Sequence, residues 1–126
     1  MSRSRKSAKQ AGARFERAIA DWLANQLDDD RIDRLARRGN KDVGDIGWVL
    51  RAGKRVVIEA KDCARLDLPA WTREAETERG NADALAGVVV SKRRGVSAPG
   101  QQWVHMTLDQ FIAIITGIHP EETDHE

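Results

Sequence analysis

The chain has 126 residues, of which 40% are hydrophobic and 33% are charged, a composition typical of one globular domain. It argues against a membrane protein, because no apolar run approaches the roughly 20 residues that span a bilayer, and the basic N-terminus lacks the apolar segment of a secretory signal. The single cysteine, Cys63, excludes an intramolecular disulfide and is typical of a reducing compartment, so we expect a cytoplasmic protein.

The net charge of +1 conceals an asymmetry along the chain. The first 15 residues contain five basic residues and no acid, whereas the last eight contain four acids and no Lys or Arg. Without that tail, 21 basic residues face 16 acidic ones. A basic body suggests a polyanionic partner such as nucleic acid, although many basic proteins bind none. We expect a disordered basic arm over residues 1–8, one domain over 9–117 and an acidic tail over 118–126.

The hydrophobic periodicity predicts the order α-β-β-β-α-β-β-α. The predicted helices cover about 9–28, 66–79 and 108–116, and the predicted strands cover 31–38, 43–50, 55–61, 87–91 and 102–107. In the last helix, Phe111, Ile112 and Ile115 are predicted to face inward. A helix between two groups of strands predicts an α/β (α+β) fold, in which a mixed central sheet is flanked by helices.

Glu16 stands beside the apolar stripe that Phe15, Ile19 and Leu23 form on the first helix. It therefore borders the buried face and does not point directly to water. Two interpretations are open: a surface acid paired with a neighbouring arginine, or a carboxylate that leans from the helix towards the sheet.

The strand at residues 55–61 has polar residues at its end. Val56, Ile58 and Ala60 share one face, and Glu59 and Lys61 share the other, because strand side chains alternate. An acid and an amine at the end of an apolar strand are costly to desolvate unless something pairs with them. Two interpretations are open. In one, Glu59 is a metal-binding carboxylate beside a lysine that activates a nucleophile, and in the other the two residues belong to a cross-strand ion pair. The pattern alone favours the ion pair.

A tight turn around Gly53 joins this strand to the preceding one in a hairpin. If the loop has two residues, Leu50 pairs with Arg55 and Asp45 pairs with Ala60. Asp45 then lies diagonally from the acid and the amine of the next strand, at roughly 7 Å or less, which is close enough to share a metal ion. A slip of one residue would undo this register.

Asp45, followed after a hairpin by Glu59-Ala60-Lys61, resembles the PD-(D/E)XK nuclease superfamily. The early helix with Gly12-Ala-Arg-Phe-Glu16-Arg is similar to its resolvase branch, the archaeal and phage-type Holliday junction resolvases. The resemblance covers about residues 12–108 and implies a restriction-endonuclease-like fold. Two features depart from the pattern, because Gly44 replaces a proline before Asp45 and the loop before it lacks a serine.

The resemblance implies phosphodiester hydrolysis with Mg²⁺, for which Mn²⁺ can substitute. Asp45 and Glu59 would bind the metal, together with the Ala60 carbonyl. Lys61 would assist the attacking water, and Glu16 would bind a second metal or hold a water on the first. The implied substrate is DNA, most simply branched DNA, because the small domain has little surface for reading bases.

Cutting both strands of a junction needs two sites, so the resemblance also implies a homodimer. Trp48 and Trp103 are candidates for its interface or for core packing. The candidates for phosphate contact are all basic, namely Arg37, Arg38, Lys41, Lys92, Arg93 and Arg94. Two other functions stay open: a restriction- or repair-type nuclease acting on duplex or single-stranded DNA, and a non-catalytic nucleic-acid-binding module whose four polar residues form a structural ion-pair network.

Overall fold

The structure, a computed structural model, describes residues 4–36, 39 and 41–123 and contains a mixed sheet flanked by helices, as predicted. In chain order the elements are α1 (Arg5–Gln26), β1 (Asp33–Arg34), β2 (Ile46–Gly47), β3 (Leu50–Arg51), β4 (Lys54–Lys61), α2 (Leu68–Ala82), β5 (Ala86–Ser91), a 3₁₀ turn (Pro99–Gln101), β6 (Trp103–His105), α3 (Leu108–Thr116) and α4 (Pro120–Thr123). Within the described ranges, none of the helices is both long and apolar enough to cross a bilayer.

The apolar runs of β4 and β5 form the centre of the sheet. Its order is β1-β2-β4-β5-β6, and β3 also pairs with β4. β4 and β5 are parallel, with Glu59 opposite Val89 and Lys61 opposite Ser91, whereas β2 and β6 lie antiparallel to them. A parallel pair needs a crossover, which α2 supplies. The carboxyl ends of β4 and β5 therefore lie at the same edge of the sheet.

Helices cover both faces of this sheet. On one face, Phe15 of α1 and Ala113 of α3 belong to the main core, together with alternate residues of β4 and β5. On the other face, Trp71 and Ala75 of α2 pack against Val89. The face of β4 that carries Glu59 and Lys61 is therefore covered by α2.

Several predicted boundaries are wrong. The first helix begins at Arg5, so residues 5–8 are helical and do not belong to a disordered arm, while residues 1–3 lie outside the described residues. The strand predicted over 31–38 pairs only at β1, where two residues meet β2. The predicted acidic tail begins with the short helix α4, and His119 before it is buried.

The helix α3 buries a different face from the one predicted. Three side chains predicted to face inward are exposed by between 42% and 59%, namely Phe111, Ile112 and Ile115. Gln110 and Ala113 are buried instead. The Gln110 side chain accepts a hydrogen bond from the Gly87 N–H at 3.0 Å and donates one to Glu76 at 2.7 Å. These two bonds fix the rotation of the helix and leave its most apolar face outward.

The hairpin turn forms as predicted. Leu50 pairs with Arg55, and the two loop residues, Ala52 and Gly53, both have positive φ angles of 55° and 76°. Two consecutive positive φ angles are typical of the type I′ turn, whose twist matches that of the flanking strands.

Beyond the turn, the hairpin contains a β-bulge that the pattern did not predict. Ile46 pairs with Ile58, one residue away from the predicted register, so the predicted pairing of Asp45 with Ala60 is wrong. Trp48 is the extra residue between the two registers, and its φ is 70°. The bulge splits the predicted strand 43–50 into β2 and β3.

The helix α2 approaches the sheet closely at Gly87 of β5. A Cβ atom at this position would lie 2.6 Å from the carbonyl oxygen of Ala75, a backbone atom that cannot move aside alone. Glycine therefore sets the depth at which α2 lies on the sheet, and with it the position of the polar side chains that α2 directs towards β4.

We predict that Gly87→Ala lowers the free energy of unfolding by about 1–3 kcal/mol, because the added methyl group must push α2 away from β5. Urea denaturation measures this change. Gly80→Ala is the matched control, since it lies on α2 with no atom within 4 Å of the added Cβ. It should be neutral or stabilise the protein by up to about 1 kcal/mol. Equal effects of both variants would contradict the close approach.

Candidate metal centre

Asp45 is fixed against β4 at the edge of the sheet. Its backbone N–H donates to the Ile58 carbonyl at 2.9 Å, and its Oδ2 accepts from the Ala60 N–H at 2.8 Å. The carboxyl group thus accepts the Ala60 N–H hydrogen bond in place of a backbone carbonyl group of the neighbouring strand. Although the predicted register is wrong by one residue, Asp45 still lies beside Glu59.

The backbone conformation before Asp45 explains why this position holds glycine and not proline. Gly44 has a φ of 99°, and a Cβ there would lie 2.9 Å from the Val57 side chain and 3.2 Å from the Ile58 carbonyl oxygen. Proline is restricted to a φ near −65°, so it cannot adopt this conformation. The departure from the motif follows from this chain's own backbone path.

Four carboxyl groups form a row that crosses the sheet edge. Neighbouring members of the row affect one another's pKa values: Glu16 on α1 interacts electrostatically with Asp45, Asp45 with Glu59 on β4, and Glu59 with Glu78 on α2. Glu16 also forms a salt bridge of 3.1 Å with Arg34, so both interpretations of this residue hold. Glu16 and Glu59 both lie near enough to Asp45 to influence pKa values in this row.

Lys61 lies on the same face of β4 as Glu59 but forms its salt bridge elsewhere. Its Nζ is 3.1 Å from both carboxyl oxygens of Glu74 on α2. Within the described ranges, neither Asp45 nor Glu59 forms a salt bridge with a basic side chain. None of the four predicted residues therefore forms a salt bridge with another, although the Lys61 ammonium group attracts Glu59 electrostatically.

The sequence reasoning missed three acids next to Glu59. Asp42, Glu74 and Glu78 each have a carboxyl oxygen that lies within 4.8 Å of the others and of one from Glu59. One signal was available: Glu78 lies seven residues after Trp71 on the buried side of α2, where an acid is unusual. The depth of α2 on the sheet, which brings these acids to β4, is a tertiary feature.

Burial of these acids disfavours their charged forms. Burial, followed by the interaction with Glu59, raises the pKa of Asp45 to about 7. Burial and the adjacent Glu78 raise the pKa of Glu59 to about 9, and burial raises the pKa of Glu78 to about 7. The pKa of Glu16 is also raised, chiefly by burial and then by Asp45. Carboxyl groups with raised pKa values that cluster in this way are typical of functional sites.

The buried oxygens fit a divalent cation. Glu59 Oε2 and both carboxyl oxygens of Glu78 are inaccessible to solvent and accept no hydrogen bond. A buried acceptor without a partner is unfavourable. Carboxylate oxygens are the ligands that hard cations such as Mg²⁺, Mn²⁺ and Ca²⁺ prefer. A cation bound by these acids would satisfy the oxygens and offset the repulsion between them.

Four of the six predicted phosphate-contacting residues belong to the described part of the chain, and all four are in segments near the acids or the end of β4. Lys41 is exposed and precedes Asp42. A cleft of about 830 Å³ beside the end of β4 is lined by Lys92, Arg93 and Arg94. Its loop is fixed to β4, because the Lys92 N–H donates to the Lys61 carbonyl at 3.0 Å. The predicted contacts Arg37 and Arg38 lie outside the described residues.

The two tryptophans proposed for an interface are both about half exposed, Trp48 by 50% and Trp103 by 49%. The Arg31 guanidinium lies 4.9 Å from the Trp48 ring, and the Arg93 guanidinium lies 4.3 Å from the Trp103 ring. Neither tryptophan belongs to the core, so the core-packing interpretation is wrong.

No protein-family model, curated protein sequence or solved structure matches this chain.

We predict that the free energy of unfolding of the metal-free protein falls as the pH rises from about 5 to about 9. An acid whose pKa is raised on folding stabilises the folded state below its unfolded pKa, and this contribution is lost as the pH passes its folded pKa. For Asp45 and Glu78 that folded pKa is about 7, and for Glu59 it is about 9. Urea denaturation in chelator at pH 5, 7 and 9 measures the slope.

Two variants on α2 should change this stability in opposite directions at pH 9. Glu78→Gln removes a buried charge and should stabilise the metal-free protein by about 1–3 kcal/mol. Glu76→Gln is the control, because the Arg79 guanidinium lowers the pKa of Glu76, and losing that ion pair should destabilise the protein. A wild type that is most stable at pH 9, or a Glu78→Gln variant that is destabilised there, would contradict this origin of the pH dependence.

Proposed function

We propose that this protein is a metal-dependent endodeoxyribonuclease with a restriction-endonuclease-like fold, related to the PD-(D/E)XK superfamily. The observation that carries the proposal is the position of Asp45 at the sheet edge where β4 ends, where its carboxyl group accepts a hydrogen bond from the Ala60 N–H and interacts electrostatically with Glu16 and Glu59. Three acids from separate parts of the chain have come together although their mutual repulsion and burial oppose it. Such an arrangement is unfavourable unless a cation or a proton balances it.

Each residue has a separate role in this proposal. Asp45 and Glu59, together with the Ala60 carbonyl, would hold Mg²⁺ or Mn²⁺, and Glu16 would hold a water molecule or a second ion. The ion, when bound, supplies Lewis-acid stabilisation of the phosphate charge and lowers the pKa of a bound water. Lys61 would donate a hydrogen bond from its ammonium group to the attacking water or to a phosphate oxygen.

DNA is favoured as the substrate because basic residues surround the acids. Lys41 precedes the loop that carries Asp45, and the cleft lined by Lys92, Arg93 and Arg94 adjoins the end of β4. Arg94 is exposed and Arg93 stacks on Trp103, so both can approach a phosphate backbone or a base. A short basic cleft of this kind favours recognition of DNA shape, such as a branch, over a long base sequence.

The ion pairs favour the nuclease over the non-catalytic binding module. It requires the four polar residues to neutralise one another, but Glu16 pairs with Arg34 and Lys61 pairs with Glu74. Asp45 and Glu59 form no salt bridge in the described part of the chain, although the Lys61 ammonium group attracts Glu59 electrostatically. A purely structural network would place a basic side chain in a salt bridge with these two acids.

We predict that the wild type cleaves DNA in the presence of Mg²⁺ or Mn²⁺ and that Glu59→Gln and Lys61→Ala lower the cleavage rate by about a hundredfold or more, since each removes several kcal/mol of transition-state stabilisation. Both variants should retain DNA binding. Cleavage is measured on labelled four-way junctions, flaps, duplexes and single strands, with the junction expected to be cut fastest.

The matched control is Lys54→Ala, since Lys54 lies at the opposite end of β4 and pairs with the exposed Glu122. It should cleave at the wild-type rate. If the wild type binds the DNA panel but cuts none of it with either metal, the protein is a binding module. Preferred cleavage of plain duplex or single strands would instead favour the restriction- or repair-type nuclease.

We include a homodimer in the proposal, because two strands of a junction need two sites. The outward face of α3 and the segment directly after it support it: five large apolar side chains there are exposed by between 42% and 77%, namely Leu108, Phe111, Ile112 and Ile115 on α3 and Ile118 after it. α3 itself contains no Lys or Arg, although the Arg51 guanidinium donates to the Ile114 and Ile115 carbonyls, and a mainly apolar face is a poorer partner for DNA than for a second apolar surface.

We predict that Ile115→Asp converts the dimer to a monomer, because it places a charge in the apolar interface. Light scattering coupled to size exclusion measures the mass. Leu66→Asp is the control, since Leu66 is 63% exposed and lies outside α3. We expect the dimer to dissociate with a constant no weaker than about 100 μM. A wild type that is still monomeric at about 100 μM would contradict this interface.

A further inference from the structure

A second group of acids lies on the α2 side of the sheet, apart from the contact between Glu16 and Asp45. We call Asp42, Glu59, Glu74 and Glu78 the α2 acid cluster. One carboxyl oxygen from each lies within 4.8 Å of one from every other member. Asp42 comes from the loop before β2, Glu59 from β4, and the other two from one face of α2, where residues four apart are neighbours. Three separate segments thus direct acids to one point.

Burial and missing partners distinguish this cluster from an ordinary acidic patch. Glu78 is 1% exposed and Glu59 is 5% exposed. Both oxygens of Glu78 and one of Glu59 are buried and accept no hydrogen bond, and both residues contribute a carboxyl oxygen to the cluster. Each unpartnered buried oxygen is unfavourable by about 1–3 kcal/mol, so a native structure normally supplies a partner.

The charges of the cluster are also unbalanced. Lys61 is the basic side chain that pairs with it, through both oxygens of Glu74. The nearby Arg79 is occupied by Glu76 and Glu121. Four carboxyl groups and one ammonium group therefore share the space between β4 and α2.

Shared protons do not satisfy these oxygens fully. A protonated carboxyl group has one O–H to donate, so one proton between Glu59 and Glu78 satisfies one accepting oxygen. The second oxygen of Glu78 would still lack a donor. A divalent cation, which carboxylates can bind through one or both oxygens, could satisfy several of these oxygens at once and would also offset the mutual repulsion of the acids.

We propose that the α2 acid cluster is a second divalent-cation site, which shares Glu59 with the proposed nuclease site. Its ligands are carboxylate oxygens alone, so it would take a hard cation, and its several carboxylates suit Mn²⁺ or Ca²⁺ better than Mg²⁺, which usually takes one or two. The proposal extends the proposed nuclease through the shared Glu59, but cation binding here does not require that the protein cleave DNA.

Glu74 connects this ion to Lys61. Because both of its oxygens contact the lysine, an ion that takes one oxygen leaves the other to hold the ammonium group. The site would then position Lys61, and Glu74 would be a positioning residue for it.

The experiment counts bound Mn²⁺ by electron paramagnetic resonance, in which free Mn²⁺ gives the signal. Asp42→Asn should weaken one class of Mn²⁺ binding by about tenfold or more, because a neutral amide is a poorer ligand than a carboxylate. The asparagine oxygen can still accept the hydrogen bond that Asp42 Oδ1 accepts from the Gly44 N–H at 3.0 Å, so the loop should keep its conformation. Glu74→Gln, a second variant on another segment, should weaken the same class.

Two further variants separate this site from the proposed nuclease. Asp45→Asn should abolish cleavage and leave the Mn²⁺ class that Asp42→Asn weakens, so the two proposals can fail independently. Glu76→Gln on α2 is the matched control and should bind Mn²⁺ as the wild type does. The proposal is overturned if Asp42→Asn and Glu74→Gln bind Mn²⁺ as tightly as the wild type, or if Glu76→Gln weakens binding as much as they do.

Discussion

The buried carboxyl group of Glu59 is the constraint on which the rest of the site depends. It lies on the central strand, is 5% exposed, and adjoins the acids of both neighbouring segments, Asp45 and Glu78. Removing a carboxylate from water is costly, and like-charged neighbours increase that cost. The fold must therefore supply a proton or a cation at Glu59. The stability of the folded protein and the chemistry of the site consequently depend on the same carboxyl group.

Close backbone approaches bring these acids together. Gly44 permits the loop before β2 to lie against β4, and Gly87 permits α2 to lie close to β5. The bulge at Trp48 shifts the hairpin by one residue, so that Asp45 accepts a hydrogen bond from the Ala60 N–H and does not pair across from it. Bulges are frequent beside functional sites, where they redirect a side chain. The site is thus built largely by main-chain geometry around β4.

Local patterns predicted the parts of the fold that depend on neighbouring residues. The hairpin turn, the apolar face of α1 and the central strands follow from periodicity and turn chemistry, and the structure contains them. The neighbourhood of Asp45 and Glu59 was also predicted, although the register differs. An insertion of one residue is not visible in the alternation of such a short strand, because it depends on pairing across the sheet.

The remaining features depend on tertiary contacts. The acids of α2 join the site only because the helix lies deep on the sheet, and helical periodicity says nothing about that depth. The face of α3 was predicted incorrectly because the hydrogen bonds of Gln110 to Gly87 and Glu76 determine its rotation, and a polar residue facing inward opposes the hydrophobic pattern. Such buried polar contacts cannot be read from single-chain periodicity.

The most direct test of a cation at Glu59 is the thermal unfolding midpoint at pH 8, measured with and without Mn²⁺ at constant ionic strength. A ligand that binds only the folded state stabilises it by about 2.7 kcal/mol at a hundred times its dissociation constant. We expect Mn²⁺ to raise the midpoint of the wild type by several degrees and that of Glu59→Gln by much less. An equal midpoint with and without Mn²⁺ in the wild type would contradict the presence of a cation site at these acids.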